Sequence, residues 1–356
     1  MSASLFQPVT FRSVTARNRI TVSPMCQYSA TDGLGDDWHI QHLGARAAGG
    51  AGIVFTEATH VSAPGRISQA CLGLWEPRHQ ALLTRVAAII ARNGAVPAIQ
   101  LAHAGRKGSS QRPWDGGKPI APAEGGWVTL APSAIPFVAG ATDPHPLSAN
   151  EIAGIVAAFA ASARMARAAG FQIVEIHAAH GYLVHEFLSP LANRRSDAYG
   201  GDLAGRSRVL MEILDAVRAE WPAELPLFVR LTCSDYMAGG ITLEEAVAVS
   251  RLLAARGDVD LIDCTGGGIS PDVRIPSLHP GYQVPFAETI RRETGLATGA
   301  VGLITEATHA AEIVANQRAD LVFLARALLA DPAWPLRAAR TLGVKPELPA
   351  QYLRAA

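Results

Sequence analysis

Short apolar runs alternate with longer amphipathic segments along nearly all of this 356-residue sequence. Such alternation is typical of repeated βαβ units built around a parallel sheet. About eight runs are candidate strands, and each is almost continuously apolar, as expected of strands covered on both faces. The candidate strands are Ile20–Met25, Gly52–Thr56, Val96–Leu101, Ile173–Ile176, Leu227–Leu231, Leu261–Cys264, Ala297–Val301 and Leu321–Leu324.

Helix start and stop signals lie between these runs. The segment Leu147–Gly170 is predicted to be a helix, because Ser148 and Glu151 have the spacing of a capping box and the segment ends on a glycine. Thr242 and Glu245 open a second helix in the same way. Strands and helices together predict an α/β fold.

The pattern favours a (β/α)8 TIM barrel over a doubly wound sheet, because no Gly-x-Gly-x-x-Gly motif follows the first strand. Chains of this length that fold as α/β barrels commonly form one domain with one hydrophobic core. Residues 1–356 are therefore predicted to be a single domain. The long loop Gly105–Pro146 follows the third strand, where catalytic loops lie, and is predicted to be a substrate lid. The tail after Asp331, about 332–356, is predicted to be a C-terminal extension outside the barrel.

Composition excludes several classes of protein. Hydrophobic residues make up 49% and charged residues 17%, as in globular proteins. Lys+Arg and Asp+Glu are both 31, so bulk charge recruits neither nucleic acid nor an anionic membrane. The four cysteines include no Cys-x-x-Cys pair, which disfavours an iron–sulfur or metal site. Without a signal-peptide pattern or an apolar run of about 18 residues, a cytoplasmic protein with reduced thiols is expected.

A cluster of polar residues follows the fourth candidate strand. It reads His177-Ala-Ala-His180-Gly-Tyr182-Leu-Val-His185-Glu186-Phe-Leu-Ser189-Pro190. Two imidazoles and a phenol at a barrel mouth are suited to binding a carbonyl oxygen and delivering a proton. Metal binding is the alternative use of paired histidines, but His185-Glu186 lacks the H-E-x-x-H continuation of a zinc site. Capping of loop backbone is a further alternative, against which the density of the cluster argues.

Five shorter motifs occur elsewhere in the chain. They are Leu5-Phe6-Gln7-Pro8, Asn18-Arg19-Ile20, Ser23-Pro24-Met25-Cys26-Gln27-Tyr28, Gln100-Leu-Ala-His103-Ala-Gly105-Arg106-Lys107 and Phe228-Val229-Arg230. Together with the histidine cluster, and in the same order, they resemble the Old Yellow Enzyme family of flavin oxidoreductases. Within that family the sequence is most similar to the bacterial branch of xenobiotic reductases and thermophilic-type ene-reductases. The resemblance covers essentially the whole chain.

The resemblance implies a non-covalent FMN across the barrel mouth and NADPH or NADH as hydride donor. Residues expected beside the flavin ring are Ser23, Pro24, Met25, Cys26 and Ala58. Gln100 and Arg230 are expected to hydrogen-bond to the pyrimidine part of the ring, where a fixed cation stabilises the reduced, anionic flavin. The place of Arg230 at a strand end favours this role over that of a buried structural ion pair.

The FMN phosphate is expected near the ends of the seventh and eighth strands, where barrels commonly bind phosphate. By resemblance this site comprises Gly302, Ala325 and Arg326. The family has glycine at the position of Ala325, so the backbone N–H is retained but the loop tolerates fewer backbone angles. A plain turn is the alternative role for Gly302.

The activity implied is reduction of the C=C bond of α,β-unsaturated carbonyl compounds by ping-pong hydride transfer through flavin N5. His177 and His180 would bind the carbonyl oxygen, and Tyr182 would protonate the α-carbon, because a phenol of pKa near 10 carries its proton at neutral pH. Packing at the barrel mouth is the alternative role for Tyr182. Tyr28 is expected to line the substrate site. Cys26 is expected to adjust the flavin potential, with a small buried hydrophobe as the alternative.

The tail Gln351–Arg354 resembles a segment that reaches a neighbouring subunit, which implies a homodimer or homotetramer with Arg354 near the partner's active site. Sequence features argue against three other functions. The chain has only three lysines, and this low number argues against a flavin barrel that acts on RNA. The cysteine pattern argues against a dienoyl-CoA reductase. The histidine cluster argues against a non-catalytic flavin-binding module. Nitro compounds and nitrate esters remain alternative substrates.

Overall fold

The structure is a computed structural model that describes residues 4–355. Its strands, in chain order, are β1 (Val9–Phe11), β2 (Val14–Ala16), β3 (Ile20–Val22), β4 (Ile53–His60), β5 (Val96–Ala102), β6 (Leu130–Ala131), β7 (His145–Pro146), β8 (Ile173–Ala178), β9 (Leu227–Thr232), β10 (Leu261–Thr265), β11 (Ala297–Ala300) and β12 (Leu321–Leu324). Its helices are α1 (Asp37–Ala48), α2 (Pro77–Arg92), α3 (Ala149–Ala168), α4 (Leu183–Leu188), α5 (Leu203–Glu220), α6 (Leu243–Arg256), α7 (Val284–Thr294), α8 (Ala307–Ala315), α9 (Arg326–Ala330) and α10 (Trp334–Thr341).

Eight of the strands form a closed parallel barrel in the order β3-β4-β5-β8-β9-β10-β11-β12. Each barrel strand overlaps one of the eight apolar runs predicted from sequence, so the predicted TIM barrel is confirmed. Both predicted capping signals are present. Ser148 caps α3 in a complete capping box with Glu151, and the Thr242 side chain caps α6 by accepting from the Glu245 N–H.

The barrel interior changes from apolar to polar along the strands. At the amino-terminal end, aromatic rings fill the barrel, with Phe55 lying 5.9 Å from Phe323 and 6.5 Å from Phe228 between ring centroids. The antiparallel hairpin β1–β2 closes this end, and its Phe11 ring lies 5.1 Å from Phe228. Because alternate residues of a strand share a face, the next inward positions place polar side chains at the carboxyl end.

Two segments lie outside the barrel repeat. The loop Gly105–Pro146 contains three 3-10 helical turns and the short parallel pair β6–β7. In the tail, α10 packs on the outside of the barrel. Its Trp334 is 2% exposed and donates a hydrogen bond to the Thr305 carbonyl at 2.8 Å. Within residues 4–355, none of the helices combines the length and the hydropathy that a membrane crossing requires.

Candidate active site

The histidine cluster lies at the carboxyl end of β8. His177 is the last inward residue of this strand and is almost fully buried, and its Nε2 lies 3.4 Å from His180 Nδ1. The Tyr182 ring packs edge-on against His177 at 4.9 Å between centroids. His180 Nε2 lies 3.0 Å from Thr265 Oγ1 at the end of β10. The structure therefore brings the three predicted catalytic side chains together.

The hydrogen bonds fix the protons of both imidazoles. The Ala179 N–H donates to His177 Nδ1 at 3.2 Å, so the proton of neutral His177 is on Nε2 and points to His180 Nδ1. His180 then carries its own proton on Nε2, toward Thr265. Burial, reinforced by the positive charge of Arg230, holds the pKa of His177 and of His180 well below its usual value. Both rings are neutral N–H donors at neutral pH.

The turn that carries His180 and Tyr182 has an unusual backbone. His180 has φ +59 and Gly181 has φ +72, two successive left-handed residues. A non-glycine residue pays a cost in this region, which folded proteins accept mainly at functional sites. A Cβ on Gly181 would lie 2.1 Å from the Gly268 carbonyl oxygen, so the neighbouring loop requires glycine there. Lys107 Nζ donates to the carbonyls of His180, at 2.8 Å, and Gly268, at 3.1 Å.

Below the cluster, a buried polar network holds Arg230. Its Nε lies 3.0 Å from Asp263 Oδ2, so the buried ion pair that the sequence disfavoured is present, and it supports the guanidinium at the mouth. Gln100 Nε2 donates to Glu175 Oε1 at 2.8 Å. Burial, together with the charge of Asp263, raises the pKa of Glu175 well above its usual value. Glu175 is therefore neutral, and Asp263 is the anion that balances Arg230.

The loop after β3 carries Cys26 and Tyr28. The Gln27 N–H donates to Glu57 Oε2 at 3.1 Å, and Glu57 Oε1 lies 3.1 Å from His39 Nε2. Cys26 is half-buried but densely surrounded. Burial, with added repulsion from Cys71 and Glu57, raises its pKa well above the usual value. Cys26 is therefore a thiol at neutral pH.

The predicted phosphate site follows β11 and β12 and lies next to the start of this loop, because β12 pairs with β3. Gly302, Ala325 and Arg326 line an open cleft of about 720 Å³ that extends to His180 and Arg230. Gly302 has φ +113, and a Cβ there would lie 3.0 Å from the Gln283 backbone nitrogen. The cleft is thus kept open by glycine at one end and lined by a guanidinium at each end, which suits a long anionic cofactor such as FMN.

Aromatic and cationic groups from the long loop overhang the site. The Trp114 ring meets Tyr28 edge-on at 5.7 Å, and Lys107 Nζ lies 5.1 Å from the Tyr182 ring centroid. Arg354, by contrast, is exposed in the 3-10 segment Ala350–Ala355. No hydrogen bond or ion pair among residues 4–355 joins Arg354 to the barrel mouth.

Several site residues were not singled out from sequence. Glu175 and Asp263 could have been found, because each is an acidic residue inside an otherwise apolar strand, where burial requires a partner. Gly268 follows two other glycines directly after β10, a run typical of close backbone approach. The contacts of Thr265 and Lys107 carry no local sequence signal.

A barrel with a polar cleft at the carboxyl ends of its strands has the architecture of a (β/α)8-barrel enzyme. The family model described as the NADH:flavin oxidoreductase / NADH oxidase family matches residues 4–344. The chain belongs to this family, and the predicted relationship to Old Yellow Enzymes is confirmed. It is therefore an oxidoreductase whose cofactors are FMN and a nicotinamide dinucleotide.

Individual relatives agree with this assignment. An NADPH dehydrogenase of Geobacillus sp. (strain WCH70) is 48% identical over 357 residues, covering 99% of each chain. Among solved structures, morphinone reductase is 26% identical with a TM-score of 0.79, over 97% of this chain and 91% of the other. A 2-naphthoyl-CoA reductase complex is 28% identical with a TM-score of 0.87 over 96% of this chain. The match spans only 53% of that longer protein.

Proposed function

We propose that the protein is an ene-reductase that reduces the C=C bond of α,β-unsaturated carbonyl compounds. One observation carries this proposal. Two neutral imidazoles, His177 and His180, stand beside a protonated phenol, Tyr182, at a barrel mouth that fits FMN. Donors of this kind bind a carbonyl oxygen without giving up a proton to it, and a separate acid remains for carbon.

When bound, FMN would supply the hydride chemistry between a nicotinamide and an activated alkene. The residues proposed to hold it are Ser23, Pro24, Met25, Cys26, Ala58, Gln100, Arg230, Gly302, Ala325 and Arg326. The bond from Gln100 Nε2 to Glu175 leaves the Gln100 carbonyl oxygen free to accept from the ring. Tyr28 lines the substrate side of the same mouth.

At the substrate, the Nε2–H groups of His177 and His180 exchange their present acceptors, His180 Nδ1 and Thr265 Oγ1, for the carbonyl oxygen and stabilise the negative charge that develops there. Tyr182 gives its hydroxyl proton to the α-carbon. Burial, with smaller contributions from Cys26 and Cys71, raises the pKa of Tyr182, so the phenol holds its proton until that step. The ammonium of Lys107, 5.1 Å from the ring centroid, offsets the phenolate charge that then develops.

NADPH is the proposed hydride donor, supported by the name NADPH dehydrogenase that the Geobacillus relative carries. We also propose a cytoplasmic homodimer or homotetramer in which Arg354 reaches a neighbouring site. Tyr352 and Leu353 beside it are 54% and 60% exposed, which suits a tail covered by another subunit. Sedimentation of the parent and of Arg354→Ala, with KM for an enone measured on each, tests this assembly.

The test of the activity is a stopped-flow experiment on each half-reaction. Anaerobic NADPH should bleach the flavin, and 2-cyclohexenone should restore its colour with formation of cyclohexanone. A flavin that neither NADPH nor NADH reduces would make the protein a non-catalytic flavin-binding module. Reoxidation by nitro compounds or nitrate esters, but not by enones, would assign the alternative substrates instead.

A further inference from the structure

The turn that carries His180 and Tyr182 depends on a buried side chain one helical turn further along. We infer that His185 is a positioning residue that holds this turn in shape, and that Asp235 keeps the proton of His185 on Nε2. The inference rests on the proposed function, in which His180 and Tyr182 contact the substrate. It adds two residues that touch neither substrate nor cofactor.

The turn needs support because its backbone is strained. His180 and Gly181 both have left-handed φ angles, and such residues persist only where surrounding contacts hold them. The His180 N–H donates to Thr232 Oγ1 at 3.0 Å, and the His180 carbonyl accepts from Lys107. The N–H of Gly181, midway between the two catalytic side chains, is the remaining donor at the centre of the turn.

His185 accepts that donor. The Gly181 N–H donates to His185 Nδ1 at 2.7 Å, the shortest of the bonds that hold this turn. His185 lies in α4 and is 0% exposed. A ring nitrogen can accept only if it carries no proton, so the geometry requires the His185 proton to be on Nε2.

Asp235 supplies the reason for that proton position. Its Oδ1 lies 3.0 Å from His185 Nε2, and both side chains are 0% exposed. The contact is bent, and neither atom has a well-aligned hydrogen bond to any other residue among 4–355. Asp235 Oδ2 is already occupied, because it accepts from Ser189 Oγ at 2.7 Å and from the Ile241 N–H at 2.8 Å.

This arrangement makes Asp235→Asn a specific test of the proton position. The amide oxygen must take the Oδ2 place, since two donors point at it, so the NH2 group faces His185 Nε2. Nε2 must then accept, and the proton moves to Nδ1, opposite the Gly181 N–H. Two donors face each other, and the bond that holds the turn is lost without a change in side-chain volume.

Two substitutions of His185 test whether its role is to accept the hydrogen bond from the Gly181 N–H. His185→Asn places an amide oxygen near the Nδ1 position and keeps an acceptor for Gly181, whereas His185→Leu removes the acceptor. Asp320→Asn is the matched control, since Asp320, like Asp235, pairs with a basic side chain, here Arg291, and accepts a backbone N–H, but at the amino-terminal end of β12.

The first measurement is hydrogen exchange of a peptide that contains Gly181, which needs neither turnover nor substrate. The second is binding of a phenol to the oxidised holoenzyme, read from its charge-transfer band. Asp235→Asn and His185→Leu should speed exchange at this peptide and weaken phenol binding roughly 10- to 100-fold, the loss expected when a hydrogen bond to a charged group no longer forms. His185→Asn and Asp320→Asn should stay near the parent in both measurements.

The inference is overturned if Asp235→Asn matches Asp320→Asn in both measurements. It is also overturned if His185→Asn and His185→Leu behave alike, whether both resemble the parent or both fail to fold, because the volume of the ring rather than its acceptor would then matter. Failure of the parent to reduce an enone would refute the proposed function alone, since exchange at Gly181 reports on the turn without turnover.

Discussion

Loss of one imidazole donor should weaken the binding of phenols, which present a phenolate oxygen where the substrate carbonyl is expected. His180→Ala removes the Nε2–H of a neutral ring beside His177. A hydrogen bond to a charged group contributes about 1.5–3 kcal/mol, so Kd should rise roughly 10- to 150-fold. His180→Asn should recover much of this loss, because asparagine tolerates the left-handed φ of +59 and offers an N–H donor.

The pH dependence of phenol binding provides a second test of the two neutral histidine donors. The pKa of each histidine lies well below its usual value because of burial and the charge of Arg230, so neither ring changes charge above about pH 6. Kd should therefore show no histidine step, and at higher pH it should follow the ionisation of the phenol together with that of Lys107 and Glu186, whose pKa values burial shifts to about 8. Titration of the charge-transfer band across pH 6 to 9 measures both effects, with the exposed His145→Ala as control. Equal Kd values for parent and His180→Ala, or a step in the parent near pH 6.5, would refute the assignment of neutral donors.

Three further predictions concern the proton donor, a buried acid and the cofactor. Tyr182→Phe should leave flavin reduction by NADPH unchanged and slow reoxidation by an enone about 10²- to 10⁴-fold; equal slowing of both half-reactions in stopped flow would indicate a packing role. Burial raises the pKa of Glu186 to about 8 from 4.5, so the folded protein retains a proton that the unfolded chain releases, and stability should fall as pH rises through that window. Glu186→Gln should flatten this part of the curve of Tm against pH, and an unchanged slope would contradict the assigned pKa. The purified protein should be yellow with FMN as the released flavin, and Arg326→Ala should release it more readily on dilution; chromatography that finds FAD would contradict the cofactor assignment.

The sequence alone predicted the parts of the structure that depend on residues close together in the chain. Strands buried on both faces must be apolar throughout, so Ile173–Ile176 and Leu321–Leu324 could be recognised from single runs. The Ser148 capping box could be predicted because its partners are three residues apart. The position of His177 and His180 at the carboxyl end of a strand was predictable for the same reason.

Contacts between distant segments could not be predicted in this way. Lys107 reaches His180 across 73 positions, and Arg230 meets Asp263 only because their strands are neighbours in the barrel. The packing of α10 also depends on contact between separate elements, here Trp334 with the Thr305 carbonyl. A sequence pattern records which residues are polar or apolar, but not which distant segment supplies the partner.

The protonated state of Cys26 has a consequence for survival of the enzyme during turnover. Activated alkenes are electrophiles that form covalent adducts with thiolates, and the thiolate rather than the thiol is the nucleophile. Burial and the nearby Cys71 and Glu57 raise the pKa of Cys26 well above its usual value. Burial raises the pKa of Cys71 to about 12. Both sulfurs thus stay protonated at neutral pH, which would protect the enzyme against alkylation by the activated alkenes that it is proposed to reduce.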